Sequence, residues 1–288
     1  MRLNKKTGII FIVSFFIGSV VLESCKKKNN EVDSETQSVV DNSICEQEFM
    51  QIQPTTNNLA IGTKGTGAKK LMAGAEVSGG CDTLAYVSGD TTYASGNYPV
   101  FKFDFGNCNA ANYDGASRSG TLTVKFRGRP KLAGSTSLIT LTNYQVHKAS
   151  GTLTFTCDSI VVKTNASTTT TKGFDVSVYN AVCNGTGWSI RYSSTKTITM
   201  NNNGTPLYFY DDFTEVTGNS SGTNREGRNF SVVVNNIIKP ANCKYITSGT
   251  VDVTPEGLAK RTVGYGNGNC DDDATFTVNG QTIAFKLK

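Results

Sequence analysis

The chain has 288 residues, with 28 Lys+Arg against 23 Asp+Glu for a formal charge of +5, and only 18% of its residues are charged. So few charges alongside 29 Gly exclude a coiled coil, and a single long apolar run excludes a multi-span helical membrane protein. Phe, Tyr, Val and Ile recur along the chain and can fill a core, which excludes wholesale disorder.

Arg2, Lys5 and Lys6 precede an uncharged run from Ile9 to Leu22. That run is shorter than the ~20 residues of a bilayer-spanning helix and reads as the apolar part of a signal peptide over residues 1–24. It ends in Leu22-Glu23-Ser24-Cys25, which resembles the lipobox of bacterial lipoproteins. The resemblance implies that Cys25 is acylated, with palmitate among the chains, and becomes the first residue after cleavage. Residues 25–42 are polar and read as a flexible tether. Buried acyl chains contribute ~0.8 kcal/mol per CH2, so several of them hold a protein firmly at a membrane. Lys26 stands where Asp, by resemblance to enteric lipoproteins, would favour the inner membrane. The expectation is therefore a lipid-anchored protein of the bacterial outer membrane, with its facing side left open. Without residues 1–24 the charge falls to +3, and no basic stripe suggests a nucleic-acid partner.

Residues 43–80 read as a short helix and a loop. Ser43-Ile44-Cys45-Glu46 has the form of a capping box. Ile44, Glu48, Phe49 and Ile52 follow at helical spacing, and Pro54 is expected to stop the helix. Thr55–Gly80 is rich in Gly, Thr and Lys, which suits a loop or weak strands.

From residue 81 to 288 the period becomes two. Phe101, Phe103 and Phe105 alternate with polar residues, as do Leu122, Val124 and Phe126. The pairs Leu153/Phe155, Val176/Val178, Ile198/Met200, Val251/Val253 and Phe276/Val278 behave likewise, with Thr at many opposite positions. This pattern predicts an all-β fold: an antiparallel meander of hairpin repeats, closed as a sandwich or left as an extended curled sheet. Asn279-Gly280 is the best two-residue hairpin signal, and Ser88-Gly89-Asp90 is a weaker turn. Ser119-Gly120-Thr121, Ser150-Gly151-Thr152 and Ser248-Gly249-Thr250 each read as a turn glycine opening a strand. Gly106-Asn107-Cys108 recurs as Gly268-Asn269-Cys270, which suggests a duplicated unit with candidate halves 81–164 and 173–288 around Asn165–Lys172.

An exported chain matures where thiols pair. Cys81 and Cys108 are 27 residues apart, Cys243 and Cys270 are 27 apart, and Cys157 and Cys183 are 26 apart. Three staples over these pairs are expected, each contributing ~3–4 kcal/mol if unstrained, with Cys45 left over. No C-x2-C metal pair occurs.

The body resembles repeat-containing envelope lipoproteins of Gram-negative bacteria. The residues that carry the resemblance are the lipobox, Asp104-Phe105-Gly106 with Cys108, Asp114-Gly115 with Arg118 and Gly120, and Gly266-Asn267-Gly268-Asn269-Cys270-Asp271. It implies anchoring and brings no activity with it.

Catalytic signals are sparse. The one histidine, His147, lies on a predicted strand with no G-x-S-x-G elbow. Ser193-Ser194-Thr195-Lys196 matches S-x-x-K without its companion motifs. Asp211, Asp212, Glu215 and Glu226 lie near Tyr208, Phe209, Tyr210 and Phe213, the one stretch that fits paired carboxyls on a sugar. Asn107 and Asp114 in one loop, and Asp271, Asp272 and Asp273 in another, are oxygen-rich enough to hold calcium. The leading expectation is a non-catalytic lipoprotein that binds or scaffolds an envelope component or polysaccharide. A carbohydrate-active enzyme and a carrier of amphiphiles are the alternatives.

Overall fold

The computed structural model describes residues 33, 35–61, 83–106, 116–130, 132–205, 211–243 and 245–287. One helix, α1 (Gln37–Ile61), precedes fourteen described strands. These are β1 (Thr83–Ser88), β2 (Val100–Asp104), β3 (Ser117–Arg127), β4 (Thr136–Lys148), β5 (Gly151–Thr156), β6 (Ser159–Thr164) and β7 (Thr171–Gly185). They continue as β8 (Trp188–Asn201), β9 (Phe213–Thr223), β10 (Asn229–Pro240), β11 (Ser248–Pro255), β12 (Arg261–Asn267), β13 (Asp273–Val278) and β14 (Gln281–Lys286).

All fourteen join one antiparallel sheet in sequence order. The fold is the expected all-β antiparallel meander, with its described strands in a single sheet. β5 and β6 lie end to end in a single column between β4 and β7, broken at Cys157-Asp158. β6 and β7, on either side of Asn165, are hydrogen-bonded neighbours.

Alternation places Leu122, Val124, Ile139, Phe155, Ile160, Val176, Ile190, Ile198, Val232 and Val253 on one buried face. The other face carries hydroxyls, amides and charges in register, such as Thr123 opposite Thr140, Ser177 opposite Thr195 and Thr197 opposite Thr217. The long strands carry bulges. Asn143 in β4, Asn180 in β7 and Asn236 in β10 each have positive φ (50°, 48° and 45°) at or beside a break in register. Asn tolerates this left-handed conformation better than most residues.

Two of the three S-G-T repeats belong to these bulges. Gly120 (φ +91°) faces the Asn143 carbonyl and Gly249 (φ +97°) faces the Asn236 carbonyl, where a Cβ would sit 2.2 and 2.3 Å from the oxygen. Only Gly151 opens a strand after a turn. Asn279 and Gly280 both have positive φ (51° and 76°), as a type I′ hairpin requires. The Ser88–Asp90 turn is also present, and the Asp90 carboxylate accepts bonds from Thr92 N (2.8 Å), Ala94 N (2.9 Å) and Ser95 N (2.9 Å). The Thr92 hydroxyl first, and then the Ser95 and Thr92 amides, hold its pKa below the usual carboxylate range.

The helix differs from expectation at both ends. It begins at Gln37, inside the stretch read as tether, and continues past Pro54 to Ile61. Ser43 is therefore not a cap, and its hydroxyl bonds back to the Val39 carbonyl within the helix. Glu35 caps instead, accepting from the Ser38 amide at 2.7 Å and the Ser38 hydroxyl at 2.8 Å. No described helix is long and apolar enough to cross a membrane.

Candidate functional site

The buried stripe of α1 is Ser38, Asp41, Asn42, Cys45, Glu48, Phe49 and Ile52, at the three-and-four spacing of one helix face. Its last positions are apolar, and most of the first turns are polar. The helix packs on β7, β8 and β11. Phe49 stacks on Tyr192 (5.6 Å) and meets Phe155 edge-on (5.8 Å).

The polar half is met by cations that point inward from the sheet. Arg118 of β3 grips Glu48 with two bonds of 2.9 Å, both side chains being about 95% buried. Tyr144 donates its hydroxyl to the same carboxylate. Lys196 of β8 lies 3.0 Å from Glu46, which also accepts from the Tyr192 hydroxyl at 2.9 Å. Arg225, in the β9–β10 turn, pairs with Asp41 at 2.6 Å, and its backbone amide donates to the same carboxylate at 2.7 Å. Arg261 of β12, fully buried, bonds Asp33 and the Glu35 carbonyl (3.0 Å). Between these pairs, Ser220 donates to Asn42 (2.9 Å) and Asn224 donates to Ser38 (3.1 Å).

Burial has electrostatic consequences. It pushes the Tyr144 and Tyr192 hydroxyls well above the ordinary tyrosine range, and neighbouring Glu48 and Glu46 push them further. It lowers the Lys196 pKa despite the opposing pull of Glu46. Removing water from ion pairs this deep offsets much of their attraction, whereas removing one partner alone would strand a buried charge.

The rim of the cradle carries a shallow depression of about 640 Å³ at the β7–β8 and β9–β10 turns, lined by Asn184, Trp188, Arg191 and Arg225. Arg225 lies 3.9 Å over the ring of Trp188, the single tryptophan of the chain.

The residues singled out by sequence are dispersed. Cys25, Cys81, Cys108, Asn107, Asp114, Tyr208, Phe209 and Tyr210 lie outside the described residues. Cys243 and Cys270 are disulfide-bonded. Cys157 and Cys183 are not bonded to each other, and both carry free thiols. The register explains this correction: Cys183 stands opposite Phe155, which leaves Cys157 one pleat beyond it. The Cys157 thiol is pushed up to about 12 by burial and by Asp158. Cys45, the cysteine that sequence left over, is likewise free and lies in the same buried core cluster as Cys183.

Asp272 and Asp273 share the Lys286 ammonium at 2.6 and 2.7 Å, and Asp271 accepts from the Asp273 amide. One ammonium of the chain thus answers part of the charge of this triplet. Among the described residues, no group of three or more His, Cys, Asp or Glu side chains is placed to hold a metal ion.

His147 bonds Ser119 (2.9 Å) and Thr152 (3.0 Å). The third member of that string is a neutral hydroxyl, which cannot stabilise an imidazolium as a carboxylate would. Ser193 and Lys196 point to opposite faces of β8, so S-x-x-K does not converge. Asp211 accepts from Thr205 (2.7 Å) in a turn, and Glu215 faces outward on β9. Glu226 lies past the far end of that strand. At ~3.3 Å per residue, Glu215 and Thr223 alone are about 26 Å apart, too far for a carboxylate pair.

The site residues that sequence reasoning passed over are the cradle cations Lys196, Arg225 and Arg261, along with Arg118 in this role. A signal existed for three of them. Arg118, Lys196 and Arg261 sit in phase with Leu122, Ile198 and Val263, at inward positions of alternating strands.

No protein-family model matches the chain, and no curated protein or solved structure matches it.

Proposed function

We propose that this protein is a lipid-anchored lipoprotein of the bacterial outer membrane whose folded body binds or scaffolds an envelope component without catalysis. The lipobox motif at Cys25 supplies the anchor. The observation that carries the reading is the cradle: the helix that follows the tether is embedded in the sheet by buried ion pairs. The attachment to Arg261 already begins at Asp33.

The same helix packs on the apolar face of the sheet, the surface an amphiphile carrier would keep for its cargo. The outward face, with its rows of Thr, Ser and Asn, and the Trp188 rim are left for a partner. Hydroxyls, amides and an aromatic ring with a guanidinium suit a polar polymer such as an envelope polysaccharide.

The test is metabolic labelling with palmitate followed by membrane fractionation. The protein should take up label and sediment with outer membranes, and Cys25→Ser should abolish both. An unlabelled protein recovered in the soluble fraction would overturn the anchoring. Hydrolysis of a polysaccharide panel, lost in Glu215→Ala, would replace binding with catalysis.

A further inference from the structure

We propose that Cys45 and Cys183 form a disulfide that fastens α1 to the centre of the sheet. Both residues are fully buried, and they belong to the same core cluster. Their neighbours fix the juxtaposition independently of the sulfurs. Phe49, one turn beyond Cys45, packs on Phe155, the residue directly opposite Cys183 across the β5–β7 pair. Glu46, next to Cys45, holds the Tyr192 hydroxyl, and Tyr192 lies two residues from Ile190, which faces Cys183 across the β7–β8 pair. Both cysteines are free thiols in the structure, and the direction of the Cys45 pKa shift, raised first by Cys183, agrees with this juxtaposition. Cys157, the partner that spacing suggests for Cys183, is displaced by the register already described.

The reaction is a thiol–disulfide exchange with a small disulfide as oxidant. A thiolate of one cysteine attacks the oxidant and forms a mixed disulfide, releasing one reduced thiol. The second cysteine then displaces the other half of the oxidant. Two electrons and two protons pass from the cysteines to the oxidant, which leaves as two thiols. The neighbouring Cys183 sulfur first, and then burial, raise the Cys45 pKa well above the ordinary thiol range, which disfavours the Cys45 thiolate in the docked state.

The full chain, reduced and unfolded, is refolded in a glutathione redox buffer, which supplies the oxidant whatever the cellular location. Remaining thiols are alkylated under denaturing conditions without reductant, and the digest is mapped by mass spectrometry. The expected result is a Cys45 peptide joined to a Cys183 peptide, lost on reduction, with Cys157 alkylated. In Cys183→Ser, Cys45 should be alkylated, while Cys157→Ser should leave the link intact. Circular dichroism establishes that each variant keeps its β signal. Alkylated Cys45 and Cys183 in the refolded wild-type chain, or Cys45 joined to any other cysteine, would overturn the proposal.

Discussion

Replacing Glu48 by Gln tests the cradle at its most buried point. The substitution keeps the size of the side chain and an acceptor for Tyr144, and it removes the charge that answers Arg118. Both partners are about 95% buried, so Arg118 would keep its desolvation cost and lose its carboxylate. Breaking a buried pair in this way costs about 3–5 kcal/mol, a large share of the 5–15 kcal/mol that typically stabilises a folded domain. With a urea m value of about 2 kcal/mol/M, the midpoint should fall by about 2 M. The triple variant Glu48→Leu, Arg118→Met and Tyr144→Phe removes every polar partner together and should return to within about 1 kcal/mol of wild type. A shift below ~0.3 M for Glu48→Gln, or a triple variant no better than the single one, would refute the reasoning.

Three further outcomes follow from the same structure. Gly120→Ala should cost about 3 kcal/mol or more, because the new Cβ meets the Asn143 carbonyl, whereas Gly280→Ala has open space and should cost only about 1–2 kcal/mol for its positive φ; equal losses in urea melts would contradict the bulge assignment. Arg225→Ala should red-shift the emission of Trp188 by uncovering the ring and should lower the urea midpoint by stranding Asp41; unchanged fluorescence would contradict the stacked geometry. The raised pKa values of Tyr144 and Tyr192 mean that the unfolded chain loses these protons first as pH rises through about 10. Stability from these two groups is complete below that pH and is lost above it, at up to ~1.4 kcal/mol per pH unit for each, although the lowered Lys196 pKa acts in the opposite sense just below its ordinary value. Tyr144→Phe should flatten the alkaline limb of the urea midpoint, and a limb of unchanged slope would contradict this.

The strands were legible because each has one dry face, and a period of two survives even where bulges interrupt it. The bulges themselves were not legible as such. Ser-Gly-Thr marks both a turn at Gly151 and a bulge at Gly120, since both demand positive φ and nothing local distinguishes them. The start of the helix was hidden for a different reason. Its buried stripe opens with Ser38, Asp41 and Asn42, and hydrophobic periodicity detects burial only where buried residues are apolar. Those polar residues are stabilised by Ser220, Asn224 and Arg225, nearly two hundred positions away. Cys45 looked surplus because spacing favours partners at similar separations, whereas its neighbour is set by how the helix crosses the sheet. The Cys243–Cys270 bond joins the segments just before β11 and just after β12, two adjacent strands, and the sequence separation sufficed.

The docked helix is the feature on which the cradle of ion pairs and the proposed disulfide both depend. Native-state hydrogen exchange measures it most directly. The amides of residues 41–52 should exchange as slowly as those of β7 and β8 and should open with them on denaturant addition. Exchange of the helix within seconds, while the strands stay protected, would show that the helix is not part of the folded body.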